Sequence, residues 1–120
     1  MPSDIPLLDA EREAVEDFPD APARVERKFV RLRDEWKSQR KPESSSAKLA
    51  MHPAYQKIIG MGPAVVPLLL RELAKRAPES WFWALMAITE ADPVPAESRG
   101  DGEAMARAWL EWGKKQGYQW

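Results

Sequence analysis

Eight consecutive apolar residues, Trp81-Phe82-Trp83-Ala84-Leu85-Met86-Ala87-Ile88, interrupt a chain in which 31% of residues are Asp, Glu, Lys or Arg. On a helix, successive side chains step about 100° apart, so a run of this length points apolar groups in every direction. Such a segment must be buried on nearly all sides or covered by a partner. It reads as the central helix of a small helical domain, residues 79–91, with Pro78 before it and Asp92-Pro93-Val94-Pro95 ending it.

The length of 120 residues fits one domain, and 44% apolar content is enough for a single core. Six tryptophans supply much of that core, since each can bury on the order of 150–250 Å². Six glycines are too few for an all-β fold built on tight turns, and the eleven prolines fall mainly where they punctuate helices. With no cysteine, disulfides and cysteine-based metal sites or nucleophiles are excluded. No stretch reaches the ~18 apolar residues that span a bilayer. The start, Met1-Pro2-Ser3-Asp4-Ile5-Pro6, lacks the basic region and apolar run of a secretory signal. A bacterial-type cytoplasmic protein is the expectation.

The charge is unevenly placed. Residues 1–20 carry seven acids against Arg12, a net of −6, and residues 21–41 carry eight bases against three acids, a net of +5. The chain therefore divides into an acidic N-terminal arm, residues 1–20, and a helical domain, residues 21–120. An acidic arm can fold back on a basic helix, mask a nucleic-acid site or dock a partner of opposite sign.

Residues 7–18 suit a short helix with a thin apolar stripe. Asp20-Ala21-Pro22 is a helix start, after which Val25, Phe29, Leu32 and Trp36 follow i, i+4, i+7, i+11 along an amphipathic helix over residues 22–40. Lys41-Pro42-Glu43-Ser44 ends it. A polar connector over 43–52 leads to a helix opening at Pro53 and closing at Gly60-Met61-Gly62. Pro63 opens a helix to about Arg76, in which Pro67 removes one hydrogen bond and bends the axis. Asp101 and Glu103 begin a last helix, residues 102–116, carrying Met105, Trp109 and Trp112; Gly113 weakens it and Gly117 stops it. Tyr118 and Trp120 form a tail placed to pack back on the core. The fold class is all-α, a compact bundle of four to five helices.

Gly62-Pro63-Ala64-Val65-Val66-Pro67-Leu68-Leu69-Leu70-Arg71-Glu72-Leu73 followed by Trp81–Ile88 resembles one HEAT-type helical hairpin, covering residues 53–91. In that family a Gly-x-x-Ala-Val-x-x-Leu-Leu helix packs against a second carrying an Ala-Leu-x-x-Ile core. Ala64 and Ala84 are the small residues that permit close approach. No second copy of the unit is present, so the resemblance implies a HEAT-like hairpin inside a compact domain. Residues 44–120, with His52-Pro53-Ala54-Tyr55 and Trp109-Leu110-Glu111-Trp112-Gly113, are similar to a group of small bacterial proteins with no established activity. That resemblance implies no catalytic residue.

His52 is the only histidine. As a general base it needs a nucleophile and an orienting acid, and Ser44, Ser45 and Ser46 lie in no nucleophile-bearing turn; capping of the helix at Pro53 is the simpler role. A metal site needs three or four clustered ligands, and one histidine without cysteine argues against one; no phosphate-binding loop or other cofactor motif is present. If Gly60-Met61-Gly62 were the turn of a helix-turn-helix, the reading helix would begin Pro63-Ala64-Val65-Val66-Pro67, with no polar side chain for a base edge. A better nucleic-acid candidate is the helix over 22–40, whose Arg24, Lys28 and Arg31 suit phosphates.

Tryptophan is enriched at binding hot spots, and this many indoles strain the capacity of so small a core, which singles out Trp83, Met86, Trp109 and Trp112 as partner-binding candidates. The sequence thus points to a non-enzymatic protein–protein interaction module, regulatory or antitoxin-like, binding a protein partner or a second copy of itself. The alternative is a nucleic-acid-binding regulator using residues 22–40; a hydrolase built on His52 is the least favoured. No metal, cofactor or membrane partner is expected.

Overall fold

Phe29, Leu32 and Trp36 lie on one helix and are buried, with Val25 half-buried at the end of the same stripe. This helix, α1, spans Asp9–Gln39. It takes in both the basic amphipathic segment and most of the acidic one, so the break expected near residue 20 is absent. The order of charge supports the longer helix, because acids near the N-terminus and bases near the C-terminus complement the helix macrodipole. Pro19 and Pro22 lie inside it, each without the N–H that would bond four residues back.

The computed structural model describes residues 9–41, 45–75 and 81–120, with residues 9–21 and 46 described by their backbone. Among these there are five further α-helices and no strand: α2 (Ser46–Ala50), α3 (Pro53–Gly60), α4 (Val66–Leu73), α5 (Phe82–Thr89) and α6 (Gly102–Lys115). The all-α class is as expected, and α2 is the addition to the expected count. Expected boundaries at Pro42–Ser44, Arg76 and residue 79 lie outside the described residues. No described helix is long and apolar enough to cross a membrane.

The connector expected over 43–52 holds α2, since Ser45 caps it by accepting from the Lys48 N–H at 3.3 Å. α2 is tied to α1, where the Trp36 indole N–H donates to the Leu49 carbonyl at 2.9 Å. The helix expected from Pro63 is divided into a 3-10 turn at Gly62–Val65 and α4. Pro67 therefore sits in the first turn of α4, where its missing N–H has no intrahelical partner to lose. The bend expected there is replaced by a change of helix type.

The core gathers around Trp81. Its ring lies 4.8 Å from Trp36, 5.7 Å from Phe29 and 5.3 Å from Tyr55, nearly parallel to the last at 13°. Spacings and tilts of this kind are favourable for aromatic pairs. Leu69, Leu70 and Leu73 of α4 with Ala106 and Trp109 of α6 continue the core. α5 packs most broadly against α3, and α4 against α6, while α4 and α5 also touch. Ala84 is fully buried in this packing, whereas Ala64, in the 3-10 turn, is exposed.

Candidate functional site

α5 contains no charged residue, so its outward face is as apolar as its inward one. Ala84 and Leu85 point inward and are buried, as is Trp81 just before them. A 100° step per residue then turns Trp83 and Ala87 away from the core. Trp83 is 47% exposed, Ala87 is exposed, and Phe82 and Met86 are half-buried at the margin. The apolar run is thus covered on one side and open on the other.

At the C-terminal end of α5, Ile88 and Thr89 form one wall of a cleft of about 340 Å³, completed by Pro63, Trp112, Gln116 and Tyr118. The end of α6 builds the aromatic side. Gly117 adopts φ +89°, its N–H donates to the Lys114 carbonyl, and the Tyr118 N–H donates to the Gly113 carbonyl at 3.0 Å. This Schellman closure reverses the chain and stacks Tyr118 on Trp112 at 5.9 Å and 29°. Trp109 meets Trp112 edge-on at 5.3 Å. The Thr89 hydroxyl is already engaged, donating to Leu85 and accepting from the Ala91 N–H. The cleft is therefore walled by aliphatic and aromatic side chains together with Thr89 and the Gln116 amide, and the surface it exposes is more polar than apolar.

Of the four aromatic and thioether candidates, Trp83 and Met86 share the open side of α5, and Trp112 lines the cleft. Trp109 is only 1% exposed. It is a core residue that braces Trp112, because its position on α6 faces α4. Tyr118 and Gln116 escaped sequence reasoning as cleft residues; the stop at Gly117 was the available signal.

The basic candidates lie on α1. Lys28 and Arg31 are exposed together with Arg27, while Arg24 is half-buried and engaged. Arg33 turns inward and donates to Glu72 at 3.0 Å, and Lys75 donates to the same carboxylate oxygen at 2.8 Å. Glu72 is 1% exposed. Burial alone raises its pKa, but hydrogen bonding and charge from Lys75 and then Arg33 outweigh this and hold it below the ordinary carboxylate value.

His52 caps α3. Its Nδ1 accepts from the Ala54 N–H at 3.0 Å, and its Nε2 lies 2.9 Å from the Gln39 Oε1. With Nδ1 accepting, Nε2 is the nitrogen placed to donate to Gln39. Both ring nitrogens are thus engaged in joining α3 to the end of α1. Among the described residues no three His, Asp or Glu side chains are grouped as a metal ion would require.

Fold and surface together define a small all-α protein with one open apolar helix face and an adjoining aromatic cleft. No protein-family model, curated protein or solved structure matches this chain.

Proposed function

We propose that this protein is a non-enzymatic interaction module that docks another protein against the outer face of α5 and the Trp112 cleft, in a regulatory or antitoxin-like role. The observation that carries this reading is the apolar outer side of α5, where Trp83 is 47% exposed beside Met86 and Ala87. Single exposed apolar residues are ordinary, but neighbouring ones on one helix, rich in tryptophan and methionine, have the composition of a binding hot spot. The cleft would receive a side chain of the partner between Trp112 and Ile88.

The test compares immobilised wild-type chain with the Trp83→Glu/Met86→Glu variant in extract of the source organism, with circular dichroism as the folding control. A protein retained by the wild type and lost by the folded variant supports the reading; identical retention by both removes it. The nucleic-acid alternative draws on the exposed bases of α1, Lys28 and Arg31 with Arg27 beside them.

A further inference from the structure

Eight of the charges of α1 form a mirror of opposite sign, whereas Asp9 and Glu35, at angles within the same stripe, mirror each other with like sign. About position 22, Glu13 mirrors Arg31, Glu16 mirrors Lys28, Asp17 mirrors Arg27 and Asp20 mirrors Arg24. Because α1 is one helix from Asp9 to Gln39, the eight positions share a register, and at 100° per residue they occupy one stripe about 120° wide. The stripe is on the side of the helix turned away from Phe29, Leu32 and Trp36, and Arg27, Lys28 and Arg31 are exposed there.

Within a single helix this arrangement is unfavourable. Glu13 and Asp17, Glu16 and Asp20, Arg24 and Lys28, and Arg27 and Arg31 are all like charges four residues apart. Asp20 and Arg24 are the one mirror pair spaced for an intrahelical contact. The other three are separated by about 15, 18 and 27 Å along the axis at 1.5 Å per residue. A continuous helix also prevents the acidic half from folding back on the basic half. Arg27, Lys28 and Arg31 form no ion pair with another described residue. Three of the four mirror pairs therefore cannot meet within one chain.

We propose that α1 pairs with α1 of a second copy of this chain, antiparallel, about a two-fold axis beside residue 22. A two-fold contact is self-complementary, so if residue i meets j then j meets i. Under that operation every acidic position of the mirror set is brought opposite a basic one, twice over, and the two helix dipoles lie head to tail. The interface is on a different helix from Trp83 and Met86 and leaves the α5 face open. An exposed ionic interface is screened by salt, so the dimer belongs to low ionic strength.

Sedimentation of the full chain at about 0.01 M and about 1 M salt, where the Debye length is ~30 Å and ~3 Å, tests the wild type without any substitution. A dimer at low salt and a monomer at high salt are expected. Two variants then give seven of the eight stripe positions one sign: Arg27→Glu/Lys28→Glu/Arg31→Glu and Glu13→Lys/Glu16→Lys/Asp17→Lys. Each alone should lose the dimer, and an equimolar mixture should recover it as a heterodimer. The Trp83→Glu/Met86→Glu variant should dimerise as the wild type does, which separates this proposal from the α5 docking reading. A wild type monomeric at low salt, or a dimer that survives in either triple variant alone, overturns the proposal. So does duplex DNA retained by monomeric wild type and released by the Arg27/Lys28/Arg31 variant, which would give the stripe to nucleic acid.

Discussion

The phenolic oxygen of Tyr55, on α3, accepts a hydrogen bond from the backbone N–H of Ala84, in the first turn of α5, at 3.1 Å. The first intrahelical bond of that segment runs from Leu85 to Trp81, so the N–H groups before it need partners from elsewhere. Trp81, at the N-cap position, makes no side-chain capping bond. A side chain from another helix therefore does the capping. Tyr55→Phe should cost about 1–3 kcal/mol, because it leaves a buried donor unmet while preserving the ring stack. Urea denaturation monitored by circular dichroism measures it.

The same residue sets an alkaline limit. Burial pushes the Tyr55 phenol far above its ordinary pKa of 10.0, against the opposing effect of its bond to Ala84. The folded pKa lies above the unfolded one, so the stability it brings is complete below about 10 and declines as pH rises beyond it. Tyr55→Phe should lack this part of the alkaline decline, which chemical denaturation on either side of that pH will reveal.

In acid the controlling group is Glu72. Its pKa is lowered in the folded state, so its contribution is present above the unfolded value of about 4.3 and is lost as pH falls below it. Glu72→Gln should destabilise the protein at pH 7 and lose most of that penalty in strong acid. Arg33→Met leaves Lys75 as the carboxylate's remaining partner and should cost about 2–3 kcal/mol at neutral pH, somewhat less than full loss of a buried pair. Thermal melts across the acid limb distinguish the two variants.

A methyl group at position 113 should be harmful even though alanine is the better helix former. A Cβ there would sit 2.6 Å from the Leu70 Cδ1 and 3.0 Å from the Trp120 ring. Leu70 is fully buried and has no room to withdraw. Gly113→Ala should destabilise by about 1–3 kcal/mol, the usual range for overpacking, and alter Trp120 fluorescence.

Glu90 closes α5 with φ +56°, the left-handed conformation that costs a residue with a Cβ roughly 1–2 kcal/mol. Its negative charge also sits at the unfavourable end of the helix dipole. Glu90→Gly should raise stability by about 1 kcal/mol, seen as a higher melting temperature with the fold unchanged.

The helices legible in the sequence were those with a firm stop or start. Asp101 does cap α6, accepting from the Ala104 N–H at 3.1 Å, and the 29–32–36 stripe does face the core. What the pattern of residues concealed was tertiary in origin. Gly113 read as a weak point in a helix because the approach of Leu70 and Trp120 leaves no local trace. Pro22 read as a beginning, yet the backbone carries the helix through it. Trp83 and Trp109 are indistinguishable as letters, and which one faces solvent depends on the placing of α3 and α4 around them.

Trp81 belongs to no helix interior, yet its ring touches Phe29 and Trp36 of α1 and Tyr55 of α3 while its carbonyl starts α5. One indole is thereby shared by three helices. Loosening any one of them exposes the same ring, so α1, α3 and α5 lose their order together and unfold as one cooperative unit.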